Sequence, residues 1–466
     1  MSDAGKDAAV IVRGNWVLTM GPRGALRNAA VAFDAEGRIV GVGPAEEVIA
    51  ANPGAEVSGD GNGIVIPGFV NAHTHLTEGL NTGMGETATL WEWFERVVNP
   101  VGQVLTRGDI ALCTRLKGVE MLESGITTVN DMSCHGNLVG NFSLRAVDGL
   151  SSLGLRGVVC FGAEDEYDGA PEASVFLAEH EALADRISTE ALIDFRVGIG
   201  TVLGITKELF EMTVNGCREH GWAVHTHLAE VREELSASRI EHGCSTIEYA
   251  DRLGLLEYEV IAGHCIWCSE KDIGLMASKD VAVAHNPVAN MILASGVCPV
   301  PRFLREGVRV GIGTDGAASN DSQDMFGAVK TAGLIQKLHT LDAAAMTATQ
   351  VMEMATIGGA MALGLESEIG SLEVGKRADV VLLDGNTPEL AVQHDPFQQL
   401  VYATTSRSVS GVWVDGIQRV EGGSVVGTDI VSLTREAREA SIELAGRAGL
   451  AGESVHCGKL EFETEE

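Results

Sequence analysis

The sequence predicts an α/β fold, a (β/α)8 TIM-like barrel joined to a small β-sandwich built from both chain termini. Three observations point there. Between residues 66 and 365, eight short apolar runs alternate with longer amphipathic stretches, the pattern of βα units around a parallel sheet. Both flanks of that region read instead as short strands separated by turns. The length of 466 residues suits one large and one small domain, because barrels absorb about 250 residues or more as a single unit.

Residues 1–65 are expected to form the first half of the sandwich: AVIVRGNWVLTM, NAAVAFDAEGRIVGVG and GNGIVIPG are Val- and Ile-rich runs broken at turn sequences such as DAEGR. The barrel strands expected over 66–365 are GFVNAHTH, ITTVNDM, LRGVVCFG, IDFRVGIG, WAVHTHL, VIAGH, VAVAH and RVGIGTD. Stretches such as RGDIALCTRLKGVEMLES and KELFEMTVNGCREH supply the intervening helices. Strand character returns in ADVVLLD and SGVWVDGIQRVEGGSVV, so 366–430 should complete the sandwich. The remainder, 431–466, reads as a helix over 432–449 that opens near a Ser or Thr cap and closes near Gly, followed by an acidic tail ending EFETEE.

Composition narrows the function classes. With 45% hydrophobic and 21% charged residues the chain can bury a large core and is not of the disordered class. A net charge of −32 repels phosphate backbones and anionic membranes, which argues against nucleic acid or a membrane surface as partner and for a small molecule. Nine cysteines, an odd number scattered through a long chain, are unlike a disulfide framework, and the opening MSDAGKDAAV lacks a basic region followed by an apolar one. A soluble, cytoplasmic protein is expected. Cys265 and Cys268 form a lone CxxC, which without a second pair signals neither zinc nor redox chemistry, and no GxxxxGK[ST] phosphate loop occurs.

The residues with chemical potential gather at predicted strand ends. His73 and His75 end the first barrel strand, and their i, i+2 spacing places both on one face, where two imidazoles can grip one cation. His225 and His227 end the fifth strand and Glu230 follows; if one of this pair binds the same ion, the other lies behind it or in the pocket. His264 ends the sixth strand and Asp315 the eighth. In a barrel, C-terminal strand ends converge on one face, so residues far apart in sequence should meet there.

The strings PGFVNAHTH, ESGITTVNDM, HLAE (227–230), AGHC (262–265), HNPVANMILASG (285–296), GTDGAASND (313–321) and GSLEVGKRADVVLLD (370–384) resemble the amidohydrolase superfamily. Within it the likeness, from about residue 10 to 430, is to the branch of S-adenosylhomocysteine and methylthioadenosine deaminases and the triazine hydrolases. Matched residue by residue, the resemblance implies His73, His75, His227 and Asp315 as metal ligands, with Glu230, His264 and Asp315 as the catalytic groups. It also implies a homo-oligomer. A divalent ion lowers the pKa of bound water toward ~7, and Asp315 or Glu230 would carry its proton to the leaving group while His264 polarises the atom that gains charge. Dinuclear members of the superfamily bridge two metals with a carboxylated lysine at the end of strand four, but here that stretch, IDFRVGIGTVLGIT, has no lysine until Lys207, so one metal is expected. A three-histidine, one-aspartate set suits zinc, with iron or cobalt as alternatives.

The substrate contacts expected are Trp91, His135, Thr201, Asn290 and Ser319, with Trp91, Trp93 and Phe94 in a loop that should overhang the metal. Glu78 either lines the pocket or is solvated. The deaminases resembled carry a sugar-contacting histidine just after strand four, where this chain has Gly200, Thr201, Val202 and Leu203, and polar residues where it has Ala289 and Ile292. From the resemblance, deamination of a nitrogen heterocycle is the first expectation, while the apolar substitutions near residues 201–203 and 289–292 lean toward a second. Hydrolysis of an amide, urea, carbamate or thiocarbamate is the second. A non-catalytic relative that keeps the fold for assembly is the third, and it should have lost ligands that this chain retains.

Overall fold

The structure, a computed structural model, describes residues 8–135 and 138–450, apart from the side chains of Cys134 and His135. Its strands fall into two sheets. The first contains β1 (Val10–Leu18), β2 (Ala25–Phe33), β3 (Ile39–Pro44), β4 (Glu56–Ser58) and β5 (Ile64–Pro67) from the N-terminal side. The second runs through β6 (Phe69–His75), β7 (Ile126–His135), β8 (Arg156–Ala163), β9 (Ile193–Phe195), β10 (Val197–Thr201), β11 (Val224–Leu228), β12 (Val260–His264), β13 (Ala282–His285), β14 (Val310–Ile312) and β15 (Asp315–Gly316). The chain then returns to the first sheet as β16 (Val380–Leu383), β17 (Val409–Val414), β18 (Ile417–Glu421) and β19 (Ser424–Val425).

Strand β5 joins the two ends of the chain, pairing in parallel with β1 on one side and antiparallel with β16 on the other. Pleating sends consecutive residues to opposite faces. Val12, Val31 and Phe33 accordingly pack with Val65, Val380 and Trp413 in one apolar cluster, while Ile11, Ala30 and Ala32 pack with Val48 in another. A small two-faced β unit therefore forms from both ends of the sequence, as the short strand-like runs at the two flanks lead one to expect.

In the second sheet every pairing is parallel and runs β6-β7-β8-β10-β11-β12-β13-β14 in turn, with β9 beside β8. The single segment 310–316 lies against β13 through β14 and against β6 through β15, which closes the barrel. The predicted eighth strand is thus split at Gly313 and Thr314. There Asn71 of β6 takes over the ladder's work: its Oδ1 accepts the Thr314 N–H at 3.0 Å and its Nδ2 donates to Thr314 Oγ1 at 2.7 Å. The predicted fourth strand is also split, at Arg196, which turns to ion-pair with Glu259 and to donate to the Leu363 carbonyl at 2.9 Å. The barrel strands are largely buried because helices cover the sheet, and fully buried side chains such as Phe69, Phe161, Phe176 and Phe303 each contribute ~1.5–3 kcal/mol of burial.

The C-terminal helix spans Ile430–Arg447, and its cap is Asp429, which accepts the Ser432 N–H, in place of the expected Ser or Thr. Asp fills the role because its short side-chain oxygen reaches the same orphan donors. The acidic tail from 451 onward lies outside the described residues. Among the described residues none of the seven cysteines with described side chains is in a disulfide, the CxxC pair included, and no helix is long and apolar enough to cross a membrane.

Candidate metal centre and active site

The C-terminal ends of β6, β11, β12 and β15 bring His73, His75, His227, His264 and Asp315 together. All five are buried. Candidate donor atoms of His73, His75 and Asp315, and of His73, His227 and His264, lie within 4.8 Å of one another. His73 Nε2 stands 3.4 Å and His75 Nε2 3.5 Å from Asp315 Oδ1, while His227 Nε2 stands 3.2 Å from His75 Nε2.

Hydrogen bonding fixes which nitrogens can serve as donors to a cation. His75 Nδ1 lies 3.0 Å from the Met132 carbonyl and His227 Nδ1 2.6 Å from the Gly200 carbonyl. A carbonyl only accepts, so both Nδ1 atoms carry the protons and both Nε2 atoms turn lone pairs toward each other. Such an approach is repulsive unless a cation is shared. His73 Nδ1 is 2.7 Å from His225 Nε2, and His225 Nδ1 in turn faces Cys160 Sγ at 3.4 Å, which leaves the buried His73 Nε2 without a hydrogen-bond partner among the described residues. Burial holds His73 below the ordinary histidine range and His227 well below it, the neutral form that binds metals. Burial alone would raise the Asp315 carboxyl, yet the surrounding imidazoles hold it far below the usual carboxylate range. Three neutral imidazoles and one carboxylate fit a divalent cation.

Two further groups stand beside this set. His264 Nε2 lies 3.6 Å from Glu230 Oε2 and 3.7 Å from Asp315 Oδ2. Burial works against charge on His264, but Glu230 and Asp315 outweigh it and raise its pKa. Burial, above all, pushes the Glu230 carboxyl up to about 7. The backbone supporting these groups is bent: Ala229, His264, Cys265 and Asp315 all have left-handed φ values, between 47° and 68°. Such conformations cost non-glycine residues on the order of 1–2 kcal/mol and concentrate where side chains must be aimed. Glu234, which sequence reasoning missed, holds one of these bends by accepting the Ala229 and Glu230 N–H groups at 2.8 and 2.7 Å.

A cavity of about 460 Å³ opens over the donor set, and Trp91, Thr201 and Ser319 line it. One wall comes from the segment 90–99, in which a helical turn Leu90–Trp93, opened by a Thr89 capping box, and a π-helical turn Phe94–Val98 place Trp91, Trp93 and Phe94 at the cavity. Asn290 is placed differently: its Oδ1 accepts from His264 Nδ1 at 2.8 Å, behind the ring and away from the lining. His135 ends β7, and its side chain lies outside the described residues. Glu78, left open above, is buried and lines the cavity. Glu164, which follows directly after β8, does so as well; its place one residue past a barrel strand was a usable signal.

Comparison with known proteins places this geometry. Residues 64–418 match the model of the Amidohydrolase family. A 5-methylthioadenosine/S-adenosylhomocysteine deaminase of Desulforudis audaxviator is 39% identical over 418 residues, covering 88% of this chain and 93% of that protein. A 5'-deoxyadenosine deaminase of Methanococcoides burtonii is 33% identical over 442 residues, covering 94% and 99%. The crystal structure of an adenosine deaminase from Xanthomonas campestris with bound zinc superposes with a TM-score of 0.89 at 30% identity, covering 95% of this chain and 99% of that one.

Proposed function

The chain belongs to the amidohydrolase family, and on that premise we propose that it is a mononuclear metal-dependent deaminase that replaces the exocyclic amino group of an adenine-type heterocycle with oxygen and releases ammonia. The observation that carries the reading is the facing pair of Nε2 lone pairs on His75 and His227, 3.2 Å apart, with His73 Nε2 and Asp315 closing the set. In this reading His73, His75, His227 and Asp315 hold one ion. Zinc is the metal we take, from the donor types and from the zinc bound by the Xanthomonas relative. When bound, the ion makes a water-derived nucleophile available near neutral pH.

The chain's own residues supply the proton handling. Glu230, with a carboxyl near 7, is poised to take a proton from the attacking water and return it to a ring nitrogen. His264 has its Nδ1 committed to Asn290 and presents a positively charged edge to the atom that gains negative charge. Asp315, also within reach of His264, is positioned to pass a proton to the departing amine. Trp91, Trp93 and Phe94 exclude water and offer planar surfaces to a ring, while Thr201 and Ser319 supply polar contacts. We place the catalytic barrel at 66–365 and the accessory unit at 1–65 with 366–430. We further read the protein as a cytoplasmic homo-oligomer, the location from its odd, scattered and mostly buried cysteines and the assembly from its likeness to the family.

A second reading, hydrolysis of an amide, urea or carbamate, is favoured by one observation: Leu203, Leu90 and Leu293 give the cavity an apolar wall where a sugar would want polar partners. Ammonia and amine release from adenosine, 5'-deoxyadenosine, ureas and carbamates separates the two, with His227→Ala as control. Ammonia from the nucleosides, lost in the variant, supports deamination; an organic amine from the open-chain substrates overturns it.

A further inference from the structure

Behind the chamber over the donor set lies a second one of about 470 Å³, and the two share Glu78, Phe94, Asn99, Glu164, Glu166 and Gly204 as walls. The second chamber adds Asp168 and Tyr167. Among the described residues lining either space there is no lysine or arginine.

Two of these carboxylates are built in rather than scattered on a surface. Glu78 is only 5% exposed; Oε2 accepts the Ala318 N–H at 3.2 Å, whereas Oε1 is buried with no hydrogen-bond partner among the described residues. The chain makes room for it with a glycine, since a Cβ on Gly316 would lie 1.8 Å from Glu78 Oε2. Glu164 is seated the same way: Cβ atoms on Gly200 and Gly204 would come within 2.4 and 2.6 Å of its carboxyl group. The loop carrying Glu164 and Glu166 is tied down, because the Asp165 and Glu166 N–H groups both donate to the Gly204 carbonyl, at 3.0 and 3.1 Å. A buried carboxyl with no lysine or arginine to pair with is costly to ionise, and an opposite charge delivered by a ligand offsets that cost. Aromatic rings at Phe94 and Tyr167 add attraction for a cation in this chamber.

We infer that the substrate carries a positively charged organic group, held in the second chamber by Glu164 and Glu166 with Glu78 facing it, while the reacting ring sits over the donor set. This deepens the proposed function, since it takes the cavity as the substrate chamber, and it assigns Glu164 and Glu166 the choice of cationic over neutral ligands.

Benzamidinium and benzamide, a planar cation and its neutral isostere, test this without turnover, by calorimetric titration of the metal-loaded protein at low ionic strength. The cation is expected to bind about tenfold more tightly, an advantage that shrinks as salt is added and disappears in the Glu164→Gln, Glu166→Gln double variant. The exposed Glu166→Gln change alone, which leaves the packing intact, should remove part of it. Equal affinities, no measurable binding of the cation, or an advantage that survives in the double variant would overturn the assignment. Ammonia release from 5'-deoxyadenosine is read on the same sample, so loss of the deaminase reading and loss of the cation preference appear as separate results.

Discussion

His180, on the helix Ala173–Ile187, is fully buried, 5.7 Å from the Phe161 ring and 6.5 Å from Phe195, and neither ring nitrogen has a hydrogen-bond partner among the described residues. Burial lowers its pKa to about 3, below the value near 6.5 of an unfolded chain. The unfolded state therefore binds the proton more readily. Stability from this site is complete above about pH 6.5 and is lost as pH falls toward 3, at up to about 1.4 kcal/mol per unit. His180→Leu should shift the acid unfolding transition, followed by circular dichroism, to lower pH; an unmoved transition would contradict the assignment. At the site itself, Glu230→Gln keeps the shape and removes the proton carrier. It should lower kcat by about 10²–10⁴-fold while elemental analysis finds the metal content unchanged. Loss of the metal in that variant would instead place Glu230 among the ligands.

At the scale of the element, strand ends and helix ends carry the account. The helix Met325–Thr340 finishes on Leu341, whose φ of 54° is left-handed and whose side chain is 89% exposed. Leu341→Gly should raise the thermal midpoint by the equivalent of about 1 kcal/mol, because glycine adopts this cap without strain; a fall would show that Leu341 is covered in solution. The apolar runs GFVNAHTH, WAVHTHL and VIAGH were readable as strands because they are short, apolar and followed by helical patterns. Their histidines could be placed at one face because parallel strands all end there. What could not be read depends on contacts between distant residues. The splitting of strand eight follows from Asn71 replacing a ladder bond to Thr314, and the position of Asn290 behind His264 follows from the helix Pro287–Ile292. The seating of Glu78 and Glu164 relies on glycines at 316, 200 and 204, which look unremarkable in sequence.

For the molecule as a whole, a net charge of −32 means that compaction brings many carboxylates together. Salt screens that repulsion, with a Debye length of about 10 Å at 0.1 M, so the thermal midpoint should climb as potassium chloride is raised from low concentration; a flat or falling curve would mean that the charges are already paired. The fold serves the same chemistry from the other side. A closed barrel delivers four strand ends to one point, and the accessory sheet gathers strands from both ends of the sequence. The most direct test of the central claim is ammonia release from 5'-deoxyadenosine by chelator-stripped protein as zinc is added back. Activity rising from near zero to a plateau at one zinc per subunit is the result expected from His73, His75, His227 and Asp315 holding a single ion. Full activity in the stripped protein, or a plateau only at two equivalents, would contradict it.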